Sequence, residues 1–229
     1  CDQFGNIRLM QGINPFGFEW KLKEGESFQT PQSVMCYSDK GIGGISRELH
    51  DVIRQNLCRS KWVNKERPIL INNWEATYMD FNEEKLLNIA KTAKEQGVEL
   101  FVLDDGWFGD RYDEETSMGD WSVNLKKIPS GIYGLAQKIN DLGLKFGLWF
   151  EPESVNPKSN LYRMHKDWIV RYPGIEPTES RFEYLLDLTL DEVCEYAINS
   201  VCDILSSANI EYVKWDMNRP MTDISYKGF

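Results

Sequence analysis

The sequence contains 229 residues, of which 41% are hydrophobic and 13% aromatic, and it carries a formal net charge of −10 at pH 7. This apolar content supports a sizeable core, whereas the acidic balance argues against nucleic acid or an anionic membrane as partner, because both select a basic surface. No apolar run approaches the roughly 18 residues of a membrane span, and no charged-then-apolar signal segment opens the chain. A small neutral substrate fits this composition better.

The five cysteines are odd in number and lack CxxC spacing, so the sequence predicts neither a disulfide framework nor a zinc site. We therefore expect no metal, no cofactor and a reducing, cytoplasmic location. The first residue is Cys1 rather than methionine, and the sequence starts in the middle of a pattern. This start suggests that it was cut from a longer protein.

The N-terminal residues alternate apolar and polar side chains across residues 16–28, with Phe16, Phe18 and Trp20 on one side. This period of two is typical of a half-buried antiparallel strand, and a second extended stretch is predicted at residues 33–37. A helix is predicted over residues 46–58, with Ser46 as its N-cap. We interpret residues 1–40 as the tail of an N-terminal β-sandwich domain and residues 41–67 as a linker with a helix.

From residue 68 onward, short apolar runs alternate with amphipathic helices, which is typical of buried parallel strands joined by crossover helices. Strands are predicted at residues 69–72, 100–104, 146–150 and 212–215. Helices are predicted at residues 82–96, 133–142 and 192–208. The apolar stretch at residues 184–188 is either a further strand or part of a long excursion.

The predicted links from strand to helix are long, and those from helix to strand are short. In a (β/α)₈ barrel the loops after the strands build the active site at one face, which fits this asymmetry. A doubly wound sheet is the alternative, but no glycine-rich phosphate loop follows any predicted strand. Residues 68–229 are fewer than the about 250 of a complete barrel. We therefore predict the N-terminal half of a barrel, with the remainder expected beyond Phe229.

Each predicted strand ends in polar or aromatic residues where a purely structural core would favour Val, Ile and Leu. These ends lie at residues 72–75, 104–107, 149–153 and 214–219. A single such end is as easily a cap or a loop salt bridge as a functional residue. Four ends at one face of a barrel predict a pocket instead.

The last of these ends carries the candidate nucleophile. Residues two apart on a strand share a face, so Lys214, Asp216 and Asn218 are expected to point the same way. A nearby ammonium keeps a carboxylate ionised, as a carboxylate nucleophile requires. The structural alternative is an ordinary buried ion pair, which contributes little to stability.

Five segments together resemble the α-galactosidases of glycoside hydrolase family thirty-six. They are NNWEATY at residues 72–78, LDDGWFG at 103–109, GDW at 119–121, GLWFEPE at 147–153 and YVKWDMNR at 212–219. The resemblance runs from about Phe16 to the last residue. It implies an α/β fold comprising the first half of a catalytic TIM barrel preceded by the tail of a β-sandwich domain.

The same resemblance implies the site residues. Asp216 matches the catalytic nucleophile, and Asp104 and Asp105 match the aspartates that bind the 4- and 6-hydroxyls of galactose. The remaining substrate-binding positions implied by the match are Trp74, Trp149, Arg181, Lys214 and Asn218. The family's catalytic acid/base aspartate is expected beyond Phe229, because no segment here resembles its surroundings.

The function implied is a retaining α-galactosidase that releases terminal galactosyl residues from oligosaccharides such as melibiose and raffinose through a covalent galactosyl-aspartate. The full-length protein is expected to be a homo-oligomer, with a small oligosaccharide as its partner. Two alternatives stay open: a related α-glycosidase or galactosyl transglycosidase, since WDMN-like motifs also occur in the α-glucosidase clan, and a sugar-binding relative without catalysis.

Overall fold

The computed structural model describes residues 3–16 and 18–223, and the chain divides into one compact unit up to Glu66 and a second from Arg67 onward. The strands predicted at residues 16–28 and 33–37 are wrong, since no described residue of the first unit forms a strand. Strand hydrogen bonds require a partner that a local pattern cannot supply. Instead, Phe18 and Trp20 contact Phe28, with ring centroids 6.1 and 4.7 Å apart. Position 17 lies outside the described residues, and a β-sandwich identity for residues 1–40 stays a prediction.

The first unit contains helix α1 at Gly41–Val52, which continues into a π-helical turn at Ile53–Leu57. The helix begins five residues before the predicted N-cap, Ser46, which lies inside it. Close packing at Gly44 is a local reason for the earlier start of the helix: an added Cβ there would lie 2.3 Å from the Ser38 hydroxyl oxygen. Glycine disfavours a helix by propensity alone, but Gly44 lets the Ser38 side chain pack directly against the helix backbone.

The second unit is built on four parallel strands in the spatial order β1-β2-β3-β6. Their bounds are Leu70–Asn72 for β1, Leu100–Leu103 for β2, Lys145–Phe150 for β3 and Tyr212–Trp215 for β6. The order follows the chain without the reversal that defines a doubly wound sheet. The predicted α/β class with parallel strands is confirmed, and the sheet agrees with a segment of a barrel.

Helices connect these strands, and the longer ones, α3, α4 and α6, each bury part of their surface. Their bounds are Trp74–Thr77 for α2, Glu83–Glu95 for α3, Gly131–Asp141 for α4, Asn160–Met164 for α5 and Asp191–Ser206 for α6. Asn82 caps α3, because its side-chain oxygen accepts a hydrogen bond from the Lys85 amide at 2.9 Å. Leu86, Leu135 and Val201 belong to the core formed with the sheet. No described helix has the length and apolar character needed to cross a membrane.

The chain between β3 and β6 makes a long excursion. It contains a small antiparallel pair, β4 at Ser154–Val155 and β5 at Tyr184–Leu185, and a second apolar cluster beneath it. The stretch predicted at residues 184–188 is therefore a short strand within this excursion. Consequently β6 is the fourth strand of the parallel sheet, and the excursion brings polar residues back toward the end of β3.

Candidate active site

The carboxyl ends of the parallel strands meet through Asp104, which directly follows β2. Its Oδ2 accepts a hydrogen bond from the Asn72 amide group at 2.7 Å and from the Lys214 ammonium at 2.8 Å. Asn72 ends β1 and Lys214 lies on β6, so this one carboxylate links three strands. The Asp104 side chain is only 3% exposed, and its bonds to Lys214 are charge-assisted and therefore strong.

Asp216 lies just after β6 and joins the same network. The Trp149 indole nitrogen donates to its Oδ2 at 3.0 Å, the Lys214 ammonium lies 3.9 Å from that oxygen, and the Met217 amide donates to Oδ1 at 3.1 Å. Burial pushes the pKa of Asp216 upward, but hydrogen bonds from Asn218 and Trp149 and the charge of Lys214 outweigh it and lower the pKa. The carboxylate is thus held ionised, while 29% of its side chain stays exposed.

Asp105 is held differently from its neighbour. Arg111 grips it in a two-point ion pair, with Nε 2.9 Å from Oδ1 and Nη2 2.8 Å from Oδ2. The Arg111 side chain is 2% exposed, and a bidentate pair of this kind fixes carboxylate geometry. The sequence-based site did not include Arg111, because it lies within an acidic loop whose spacing shows no pattern.

Arg111 also connects this loop to the turn that carries Arg181. Its Nη1 donates to the Asn156 side-chain oxygen at 3.0 Å, and the Asn156 amide donates to the Phe182 carbonyl at 2.7 Å. Arg181 itself is exposed at a tight turn with a positive φ of 54°. Among the described residues, no hydrogen bond or ion pair joins it to Asp104, Lys214 or Asp216, so its role stays a prediction.

Two further predicted residues, Trp74 and Asn218, lie beside the network. The backbone amide of Trp74 donates to the Asn72 side-chain oxygen at 3.1 Å, which places this half-buried aromatic beside the end of β1. Asn218 is held by Glu151, a buried residue that follows β3. The GLWFEPE segment marked Glu151 as polar at a strand end, but the sequence did not reveal what it binds.

An aromatic cluster lies under the site and fixes the position of Trp149. The Trp107 indole nitrogen donates to the Trp149 carbonyl at 2.9 Å, and the ring of Phe108 is stacked parallel to that of Trp149 at 6.2 Å. Both residues are fully buried. Because the Trp149 ring is packed in this way, its N–H is directed at Asp216 rather than free to rotate.

Lys127 ties the loops after β1 and β2 together. Its buried ammonium donates to three backbone carbonyls, those of Met79 at 2.9 Å, Gly106 at 2.8 Å and Arg111 at 2.6 Å. It also lies 4.6 Å from the ring centroid of Phe81. Three otherwise unpaired carbonyls are satisfied by one cation, which fixes the backbone that follows Asp105 and joins it to the loop after β1.

The arrangement combines an ionised, partly accessible carboxylate with buried acceptors and an aromatic wall. Asp216 has the charge and exposure that attack on an electrophilic carbon requires. Asp104 and Asp105 offer acceptor oxygens in a desolvated setting, where hydrogen bonds to hydroxyl groups are strong. These are the properties of a site for a polyhydroxylated substrate. Among the described residues, no group of three His, Cys, Asp or Glu side chains forms a candidate metal site.

A family model described as Melibiase matches residues 27–229. The α-galactosidase AgaA of Geobacillus stearothermophilus is 56% identical over 223 residues, which make up 97% of this chain and 31% of that protein. The α-galactosidase Mel36A of Lactobacillus acidophilus is 49% identical over 223 residues, or 97% of this chain and 30% of that protein. The chain thus spans about a third of the length of these curated relatives.

Solved structures agree with the sequence relatives. The crystal structure of AgaA, described as a GH36 α-galactosidase, matches with a TM-score of 0.92 at 56% identity, over 95% of this chain and 30% of that one. An AgaA variant described as a complex with raffinose also matches with a TM-score of 0.92, at 55% identity and the same coverage. The α-galactosidase structure from Lactobacillus brevis gives a TM-score of 0.91 at 45% identity, over 95% of this chain and 29% of that one.

Proposed function

The chain belongs to the melibiase family, and from this membership we propose that the protein containing it is a retaining α-galactosidase with Asp216 as its nucleophile. The observation that carries the proposal is the network in which Trp149, Lys214 and Asp104 surround Asp216 at the carboxyl edge of the sheet. In folds with parallel strands this edge is where catalytic residues lie.

The proposed reaction proceeds in two displacements. An Asp216 oxygen attacks the anomeric carbon, the bond from that carbon to the leaving oxygen breaks, and the leaving oxygen takes a proton from a general acid. Water then hydrolyses the galactosyl-aspartate from the same face that the leaving group occupied, so the configuration is retained. The lowered pKa of Asp216 supports this role, because only the ionised carboxylate attacks.

The proposed substrate is a terminal α-galactosyl group of a small oligosaccharide. Asp104 and Asp105 are assigned to its 4- and 6-hydroxyls, with Lys214, Asn218 and Trp149 around the reacting carbon. Related AgaA variants are described as complexes with raffinose and with stachyose, both galactose-containing oligosaccharides. The sugar contacts of Trp74 and Arg181 belong to the same proposal.

The test replaces Asp216 in the full-length protein. Asp216→Ala should lower kcat for p-nitrophenyl α-galactoside by on the order of 10⁴-fold or more, because the covalent galactosyl-aspartate cannot form without the Asp216 carboxylate. Added azide should restore turnover, because it fits the space left by the Asp216 side chain and attacks the anomeric carbon from there. The product should be the β-galactosyl azide. The wild-type protein should cleave the matching α-glucoside far more slowly, because its equatorial 4-hydroxyl leaves a buried carboxylate poorly paired.

Asp203→Asn is the matched control, because Asp203 is an exposed aspartate on the outer helix α6. This variant should retain wild-type kinetics. Survival of activity in Asp216→Ala would remove the nucleophile assignment. Equal kcat/KM for the two glycosides would instead favour the α-glucosidase clan.

A further inference from the structure

Glu151 holds Asn218 at two points. Its Oε1 accepts a hydrogen bond from the Asn218 backbone amide at 2.7 Å, and its Oε2 accepts one from the Asn218 side-chain Nδ2 at 3.0 Å. Glu151 is 1% exposed and lies directly after β3. Both the backbone position and the side-chain amide of Asn218 are therefore fixed by one buried carboxylate from a different strand.

The orientation of the Asn218 amide matters because its two ends have opposite hydrogen-bonding character. Nδ2 carries two donors and Oδ1 only acceptors. A carboxylate bound to Nδ2 excludes the flipped arrangement, in which Oδ1 would face Glu151 and two acceptors would repel. Asn218 lies two residues after Asp216, and the Asp216 backbone amide donates to the Phe150 carbonyl at 2.8 Å, so the end of β3 holds the segment that carries the nucleophile at two neighbouring points.

We propose that Glu151 is a positioning residue for the nucleophile: it holds Asn218, two residues after Asp216, and thereby keeps the Asp216 carboxylate beside the Trp149 donor. This inference rests on the proposed function, since it concerns the same reaction. Glu151 itself does not touch Asp216 in any described contact, so it acts through Asn218. The path runs from the end of β3 to the segment after β6, across neighbouring strands whose register pairs Trp149 with Lys214.

The charged groups facing this path come from several elements. Lys214 approaches Asp216 from β6, and Asp104 binds Lys214 from the segment after β2. Glu183, in the turn before β5, lies close enough to Glu151 to feel its charge. Ser154 from β4 donates its hydroxyl to Glu151 Oε1 at 3.3 Å. Glu151 thus accepts hydrogen bonds from Ser154 and Asn218 and interacts electrostatically with one further carboxyl group, that of Glu183.

The test uses the full-length protein with Glu151→Gln. The glutamine side chain offers one acceptor oxygen and a competing donor, so Asn218 loses its fixed orientation and the segment after Asp216 is held less firmly to the end of β3. We expect kcat on an activated aryl α-galactoside to fall by about ten- to hundredfold with little change in KM. The acidic limb of kcat/KM against pH, which reports free-enzyme ionisation, should move to higher pH because a displaced Asp216 loses the Trp149 donor.

Two further variants separate positioning from a general structural effect. Asn218→Ala should shift the acidic limb in the same direction, and the double variant should lose less than the product of the two single losses, since both changes remove one interaction. Glu83→Gln is the control, because Glu83 is a buried carboxylate on α3 that binds Lys138 and the Ser130 amide away from the site. It should lower stability and leave the limb unmoved.

An unmoved acidic limb in Glu151→Gln would overturn the inference, as would multiplicative losses in the double variant. Failure of the wild-type protein to cleave the α-galactoside would overturn the proposed function instead. The two failures are thus distinguished by the wild-type assay alone.

Discussion

The pKa values of two carboxyl groups near the end of β3 are shifted in opposite directions. Burial raises the pKa of both Asp216 and Glu183, yet only Glu183 ends above its ordinary value, at about 7. Asp216 has donors from Asn218 and Trp149 and a nearby ammonium, whereas Glu183 is buried with the charge of Glu151 beside it. The local supply of donors and charges, rather than burial alone, decides the direction in which each pKa moves.

Glu183→Gln should change how stability depends on pH. The folded pKa of Glu183, about 7, exceeds the ordinary 4.5, so the folded state holds this proton more tightly than the unfolded chain. Its stabilising effect is complete below about 4.5 and is lost as pH rises to about 7. A neutral glutamine has no such pH-dependent loss. Above pH 7 the free energy of unfolding of the variant should therefore rise by up to about 3 kcal/mol relative to that of the wild type.

Urea denaturation of the full-length protein at pH 5 and pH 8 measures the Glu183 effect. The stability difference between variant and wild type should be more favourable to the variant at pH 8 than at pH 5. A difference that is the same at both pH values would show that Glu183 does not titrate in this range.

At the scale of elements, β3 is the strand on which the site depends, and Gly147 sets its spacing from both neighbours. A Cβ at this position would lie 3.0 Å from the Tyr212 Cβ on β6 and 3.0 Å from a Val102 methyl on β2. Both atoms are close to their own backbones, so relief requires the strands themselves to move. The Trp149 bond to Asp216 lies two residues further along the same strand pair.

Gly147→Ala should therefore destabilise the protein by about 1–3 kcal/mol through overpacking. It should also lower kcat/KM, because a displaced β6 moves Asp216 away from the Trp149 donor. Thermal unfolding and steady-state kinetics on the same preparation measure both effects. Gly12→Ala is the control, since nothing lies within 4 Å of a Cβ there; loss of Tm in this control equal to that in Gly147→Ala would exclude overpacking as the cause.

The sequence predicted the elements of the second unit well because their signals are local. The predicted bounds of the four parallel strands and of α3, α4 and α6 lie within two residues of those observed, helped by the Asn82 cap, whereas the short elements α2, β4 and α5 were not predicted. The N-terminal strands failed because alternation does not reveal whether a pairing partner exists. In the site, strand ends pointed to Asp104 and Lys214, but Arg111 and Asn156 lie in long loops without a period. Their contacts are set by the excursion's path, which local patterns do not encode.

At the scale of the whole molecule, the described carboxyl groups supply a nucleophile more readily than a general acid. Asp104 and Glu151 accept hydrogen bonds from Lys214 and Asn218 through the oxygens a proton would occupy. Glu183 has a pKa of about 7, within the range of a catalytic acid, but it is 2% exposed and faces Glu151. A retaining mechanism needs a second carboxyl about 5 to 5.5 Å from the first, with access to the leaving oxygen.

We therefore expect the 229-residue chain by itself to show no steady turnover of melibiose, whose sugar leaving group requires protonation. The longer protein should hydrolyse it. The measurement is galactose formation by the two proteins at equal molar concentration. Turnover by the chain alone would show that it contains a general acid, and Glu151 and Glu153 would be the first residues to replace.

The cation bridge formed by Lys127 bears on how such an enzyme can be re-engineered. Because one ammonium joins carbonyls at Met79, Gly106 and Arg111, the segments following β1 and β2 share a single anchor. Lys127 belongs to the segment after β2, so exchanging that segment for one without the lysine leaves the Met79 carbonyl of the other segment without this donor. To change the leaving-group preference by loop exchange, the segments after β1 and β2 should therefore be replaced together, with the lysine included.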